Sequence, residues 1–501
     1  MIPLSEFIDR DYAYIAVVAV SIFLGGFTRK IKNVETKKLF TFLVGFTIVS
    51  AFCGAEVLHS LITIIIGTLL IKQCSNRSMP KMVFLFSFLY RIFFCLSSFF
   101  TSWRDDRNLA NGIQLVLTIK MICVAYEVDD FRRRQANENA HANGHSNGVG
   151  NGFSNNHNNI TTMDKHKTFP LNEEPSFFDI ICYMYCFLGI GTGPFYRYRT
   201  YHDMIFLPQH ISKPLPAVDH IISRLSILTM LIIVSVGGGM LFGVKEMKSD
   251  EFYERSFFYR FFYVLPIGAI GMSRYGVIWF LSEFGFAMSG LGVYPESMKP
   301  EPGRGPTNFH DGNDDIWGKK IARGLRYSFE STRNVYIVQG LTAKTYAKTF
   351  RWWNCTVQWW LAHFIYASKL FSGKPVFIRW LAVAIVSAVW HGFKAGYYFS
   401  FVGMTYVAFA EFLLLSQVGA RLNKNARVVF DLVHYLLYKA VGIGSFMTTF
   451  SLSNYSDVMR YLASVYYGIY GVATASIILS VITSVVFSMI PKETVKREKT
   501  E

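Results

Sequence analysis

The chain has 501 residues, 51% of them hydrophobic and only 17% charged, with 46 Phe and 28 Tyr. A charge share so far below the quarter usual in soluble domains excludes an ordinary soluble protein. The excess of 50 Lys+Arg over 34 Asp+Glu, a net +16, does not point to nucleic acid, because the cations flank apolar runs and form no domain of their own.

The first residues, MIPLSEFIDRDY, lack a basic n-region and a small-residue cleavage site, so the first apolar run is expected to be an uncleaved anchor. A helix needs roughly 20 apolar residues to cross a hydrocarbon core. Suitable runs lie near 12–27, 39–53, 56–71, 82–100, 109–127, 176–194 and 222–243. Others lie near 257–272, 275–293, 356–372, 376–393, 396–416, 427–450 and 463–490. With some re-entrant, tilted or paired, they predict an all-α polytopic membrane protein of about ten to twelve transmembrane or re-entrant helices around a central chamber. The whole of 1–501 reads as one membrane domain with two polar interruptions.

The first interruption, 129–174, contains QANENAHANGHSNGVGNGFSNNHNNITTMDKHK. Such a stretch buries too little apolar area to fold and is expected to be a disordered cytosolic insert. Its histidines read as part of a solvated spacer rather than a metal site. The second, 294–353, begins as a Pro/Gly-rich loop and continues as KKIARGLRYSFESTRNVYIVQGLTAKTYAKTFRWW, which is helical in texture. There Lys344, Lys348 and Arg351 recur at i, i+4, i+7, and Tyr346, Phe350 and Trp353 repeat the spacing two residues on. That offset is about 200° around a helix, so one face is cationic and the other aromatic. The pattern predicts a helix lying in the bilayer interface. It would bring phosphate-seeking cations up to Asn354. Basic clusters at 28–38, 132–134, 319–351 and the tail 491–501 are all expected on the cytosolic side. Of the sequons at Asn76, Asn159, Asn354 and Asn454, Asn159 and Asn354 are expected to stay unglycosylated.

Seven cysteines, several inside apolar runs, form neither a disulfide framework nor a metal-ligand spacing, so no metal site is expected. More informative are polar groups placed where they cost solvation energy. His391 sits in WLAVAIVSAVWHGFKAGYYFSF, with no charged residue between Arg379 and Lys394. An ionisable group within a span is by default a functional candidate. Asn354 lies between tryptophans in FRWWNCTVQWWLAHF. A neutral imidazole can take a proton from a hydroxyl as that oxygen attacks an activated carbonyl. An Asn amide can donate to the developing oxyanion or position a thioester. No Ser or Cys stands at nucleophile-like spacing to His391, so direct transfer from an acyl thioester to an alcohol is the economical scheme.

Other polar groups carry less. Glu56/His59 and Asp431/His434 repeat an i, i+3 spacing and read mainly as satisfied contacts. GIGTGP (189–194) has no preceding strand and reads as a bend into PFYRYRTY, where Arg197 and Arg199 could hold a lipid phosphate or anchor at headgroup level.

The chain resembles the membrane-bound O-acyltransferases, whose signature is an asparagine followed, some thirty to forty residues on, by a histidine in an apolar helix. WNCTVQWWLAHFIY around Asn354 and SAVWHGFKAGYYFSF around His391 carry the resemblance. GPFYRYRTYHD (193–203), FESTRNV (329–335) and LHSLITIIIGT (58–68) look like its lysophosphatidylinositol acyltransferase members. The likeness covers most of the chain outside 129–174; that insert and the Pro/Gly-rich stretch near 300–315 depart from it. The resemblance implies His391 as catalytic base with Asn354 as its partner, acyl-CoA as co-substrate, no permanently bound cofactor, and an endoplasmic reticulum membrane location.

The expected reaction is sn-2 acylation of a lysophospholipid, lysophosphatidylinositol in particular, with a polyunsaturated acyl-CoA. Lys344, Lys348 and Arg351 would then meet CoA phosphates, and Arg197 and Arg199 the lipid headgroup. A choline, ethanolamine or serine lysophospholipid is the alternative acceptor. A polytopic transporter is the alternative class, disfavoured by the absence of recurring hydrophobic halves and the scarcity of charges within spans.

Overall fold

A computed structural model describes residues 10–74, 77–97, 108–144, 168–207, 215–309 and 326–489. These are overwhelmingly helical. The only strands among them are Tyr294–Pro295 and Tyr327–Ser328, paired antiparallel. The ten to twelve expected segments resolve, among the described residues, into eight helices long and apolar enough to cross a bilayer. They are Val34–Gln73, Met79–Ser97, Leu109–Ala140, Leu225–Lys248, Phe257–Ser289, Ala395–Arg421, Lys424–Leu452 and Gly468–Met489. The helix Val376–His391 is shorter. Their outward faces are apolar: Met240 is 82% and Leu241 74% exposed, as lipid-facing side chains should be. The protein is a polytopic helical membrane protein.

The chain divides into two compact units. The first holds Met1–Leu228, Val277–Val335 and Asn354–Ser372. Its core joins Ile71, Val83, Leu117, Met121 and Val124 to the segment Tyr183–Leu188. Gly45 permits that packing, since a Cβ there would stand 1.7 Å from the Tyr185 carbonyl oxygen. The span expected at 176–194 is corrected. Only Phe177–Met184 is helical, started by a Ser176–Asp179 capping box. Gly189 (φ 71°) and Gly193 (φ 82°) then turn the chain in a region closed to most side chains, as expected of a bend. Cys186, Phe187 and Leu188 are buried in protein and do not face lipid.

The segment 129–174 does not begin as the disordered insert expected there. Its first part continues the helix Asn108–Gly144. Ion pairs Asp129–Arg133 and Asp130–Arg134, one helical turn apart, support that extension. Glu174, at its far end, pairs with Arg132 at 2.8 Å and Lys72 at 2.7 Å. Residues 145–167, with the sequon at Asn159, lie outside the described residues, as do Asn76 and the tail 491–501.

The second unit holds Thr229–Gly276, Tyr336–Trp353 and Gly373–Glu501. In it Gly396 lets helix Ala395–Leu413 approach the Thr449 carbonyl, and Ser400 shares a hydrogen bond of 2.8 Å with the Thr449 hydroxyl. A long interfacial helix before Asn354 is not found. The described part of 294–353 contains the strand pair, 3-10 turns and two short helices, Ile337–Thr342 and Tyr346–Phe350. Thr345 caps the second helix through Lys348 N, so Lys344 falls outside it and Arg351 ends it. Lys344, Lys348 and Arg351 are exposed, whereas Tyr346 is buried and Phe350 and Trp353 are partly buried.

Candidate active site

Asn354 opens the helix Cys355–Leu361 with φ 50° and ψ 45°. This left-handed conformation excludes most non-glycine residues, and Asn is among the few that adopt it readily. Its side chain makes no capping bond. Instead its Oδ1 accepts from Asn334 Nδ2 at 3.1 Å. Asn334 Oδ1 accepts from both the backbone N–H and the hydroxyl of Thr356, at 3.1 and 2.7 Å. The Asn334 N–H donates to Glu283 at 2.8 Å, and Glu283 is ion-paired with Arg224. The Asn334 carbonyl accepts from Cys355 N at 2.9 Å, and Phe195 N donates to the Thr356 hydroxyl at 3.1 Å. Burial pushes the neighbouring Cys355 thiol up to about 12, so it is not a thiolate nucleophile at neutral pH.

His391 is the last residue of the helix Val376–His391, which Gly392 ends. Its ring stacks on Phe401 at 5.0 Å and 22°, and meets Phe450 edge-on at 5.4 Å. Trp390 and Tyr397 stand 4.9 and 5.6 Å away, centroid to centroid. Aromatic walls of this kind fix the ring plane while contributing no charge.

Arg197 and Arg199 do not serve as expected. Arg197 is 3% exposed, pairs with Glu127 at 2.8 Å, and donates to the carbonyls of Arg304 and Phe169, each at 3.0 Å. Arg199, 2% exposed, pairs with Asp203 at 2.9 Å, donates to Pro170 O and Asn172, and lies over the Phe169 ring. These bonds use the donors that a lipid phosphate would need. Both arginines instead tie the segment 169–172 to other parts of the first unit, and the geometry does not support the expected headgroup role. The physical reason is that a buried guanidinium requires a buried carboxylate; Asp203 supplies one from four residues on in the same helix, and Glu127 supplies the other from a distant part of the chain that the sequence could not show as its partner.

Of the weaker candidates, His59 does meet Glu56, at 3.8 Å, and hydrogen-bonds Tyr90 OH at 2.8 Å. Asp431 pairs with Arg427, leaving His434 to Glu411 at 2.9 Å. Glu411, 1% exposed, also accepts from Tyr346 N at 2.6 Å and Ala347 N at 3.0 Å. Lys439 donates to the carbonyls of Leu341 and Ala343. Two charged groups on membrane helices thus clamp the segment that carries Lys344. The sequence reading missed Glu411 and Lys439, although ionisable residues in apolar runs are a signal it used elsewhere. It also missed Asn334, which no local pattern marks as a neighbour of Asn354, and the bonding role of Thr356, seen there only as part of a sequon.

The model of the membrane-bound O-acyltransferase family matches residues 69–451. The membrane-bound acylglycerophosphatidylinositol O-acyltransferase of Danio rerio is 31% identical over 468 residues, 93% of this chain and 92% of its own. Its Homo sapiens counterpart is 30% identical over 469 residues, 93% of each chain. The Drosophila melanogaster protein of that description is 27% identical over 467 residues, 91% of this chain and 89% of its own. A family match over most of the chain, on a polytopic helical fold that carries the Asn354 and His391 motifs, means that the chain belongs to the membrane-bound O-acyltransferase family.

Proposed function

We propose that this protein transfers the acyl group of acyl-CoA, preferentially a polyunsaturated one, to the free sn-2 hydroxyl of lysophosphatidylinositol in the endoplasmic reticulum membrane. The observation that carries this reading is the near full-length similarity to acylglycerophosphatidylinositol O-acyltransferases of vertebrates and an insect. In the proposed step His391 takes the hydroxyl proton while the oxygen attacks the thioester carbonyl. Asn354 donates a hydrogen bond to the carbonyl oxygen as negative charge develops on it. The carbon–sulfur bond then breaks, the ester forms, and the leaving CoA sulfur receives the proton. Lys344, Lys348 and Arg351, exposed ahead of Asn354, supply cations for CoA phosphates. With Arg197 and Arg199 engaged internally, recognition of the inositol ring falls to other groups.

The test gives purified protein equimolar lysophosphatidylinositol, lysophosphatidylcholine, lysophosphatidylethanolamine and lysophosphatidylserine with one acyl-CoA. The first is expected to be acylated in clear preference, because a site built around ring hydroxyls leaves its own polar groups unpaired with other headgroups. Loss of a general base lowers the rate roughly a hundred- to ten-thousand-fold, so His391→Ala should do the same. Equal rates on all four lipids would remove the inositol assignment. Near-normal turnover by a well-expressed His391→Ala protein would remove the base.

A further inference from the structure

We propose that Asn334 is a positioning residue that sets the amide of Asn354 with its Nδ2 end presented as a hydrogen-bond donor. The inference rests on the acyltransferase reading above and specifies how one of its groups is oriented.

The orientation follows from which atoms can only donate. A backbone N–H has no acceptor capacity, so the Thr356 hydroxyl must accept from Phe195 N. With one proton and a second lone pair left, that hydroxyl could meet either end of the Asn334 amide at 2.7 Å. The Thr356 backbone N–H, again only a donor, points to the same Asn334 atom at 3.1 Å. That donor decides: the atom is the carbonyl oxygen, and the Thr356 hydroxyl gives it its proton. The other end of the Asn334 amide is then the nitrogen, which only donates, and it meets Asn354 at 3.1 Å. The Asn354 atom there must be Oδ1. Its Nδ2 is the opposite end, and it donates to none of the described residues.

Asn334 is itself held on every side. It is 1% exposed, its N–H is bound to Glu283, and its carbonyl to Cys355 N. Rotating its amide would face Nδ2 toward the Thr356 backbone N–H, donor against donor, so the arrangement has one state. A donor at Asn354 stabilises an oxyanion, whereas an oxygen in the same place repels it.

Asn334→Asp makes this orientation titratable. Ionised, the introduced carboxylate accepts from Thr356 with one oxygen and from a turned Asn354 amide with the other, so Asn354 presents Oδ1. Protonated, it again donates to Asn354 Oδ1 and restores the native arrangement. The charged groups acting on this corner are Glu283, Arg224, Arg333 and Glu330. They are common to both proteins and cancel when rates are compared at each pH. On the alkaline side kcat should fall about a hundred- to a thousand-fold, the effect of losing one oxyanion donor. The ratio of variant to wild-type kcat should rise as pH falls, with KM for lysophosphatidylinositol unchanged. A pH-independent ratio, or a change in KM instead of kcat, would overturn the proposal.

If Asn334→Asp does not yield folded protein, Asn354→Asp decides. It keeps the bond from Asn334 but offers oxygen in place of Nδ2, so it should be as inactive as Asn354→Ala. Activity retained by Asn354→Asp would overturn the proposal while leaving the acyltransferase reading intact. A wild-type protein inactive on every lysophospholipid would overturn both.

Discussion

At the scale of single residues, Asn354 meets two demands, a left-handed backbone and a side-chain amide. Substitution can separate them. A non-glycine residue pays about 1–2 kcal/mol for that backbone region, while glycine does not. Asn354→Gly should therefore be more stable than Asn354→Ala by about 1 kcal/mol, and both should be inactive. Unfolding of the two detergent-solubilised variants measures this. The reverse order of stability would show that the backbone at 354 relaxes and stores no strain. Asn334 belongs to the same scale. FESTRNV carries part of the family likeness, yet nothing in it singles out the residue that meets Asn354 from the previous polar segment.

At the scale of elements, the end of the helix Asn108–Gly144 is tied to the chain that returns at 168–174. Arg132 bonds Glu174 and the carbonyls of Cys74 and Ile71. Its hydrogen bond to Arg132, reinforced by Lys72, holds the Glu174 carboxyl down at about 2. A carboxyl depressed in the folded state stabilises above its unfolded value, near 4.5, and that contribution is lost as pH falls toward 2. Glu174→Gln should lower stability at neutral pH and flatten the fall between those limits. An unchanged acid profile in Glu174→Gln would mean that other carboxylates set it. Arg134 also reaches the Leu171 carbonyl at 3.1 Å, so a deletion starting at 135 keeps these ties while one starting at 129 cuts them.

At the scale of the whole molecule, a net charge of +16 would act differently on the proposed acyl-CoA, an anion arriving from water, than on a lysolipid already in the bilayer. Charges that attract a soluble anion are screened by salt over about 8 Å at physiological ionic strength. Neutralising Lys344, Lys348 and Arg351 together should raise the KM for acyl-CoA, leave that for lysolipid nearly unchanged, and reduce the salt dependence of the former. Both Michaelis constants across a salt series provide the measurement. An unaltered acyl-CoA KM would reduce the three to signals of membrane orientation.

The class of the molecule was legible in its sequence because lipid solvation depends on composition along a single run. Among the described residues eight helices emerge where apolar stretches stood, and His391 and Asn354 stand out because desolvation of a polar group is a local cost. The same local reading overextended 176–194 as a span, since burial in protein and burial in lipid select the same side chains. It failed at Arg197 and Arg199 because a cation's role depends on its partner, and Glu127 lies far away in sequence. It also joined Lys344 to Arg351 in one helix, where Thr345 capping and the Glu411 clamp divide the segment. Periodicity shows which faces are cationic or aromatic. Only tertiary structure decides which charges are paired, which amide is turned which way, and where a helix must stop, because each is settled by atoms that the chain brings together from distant positions.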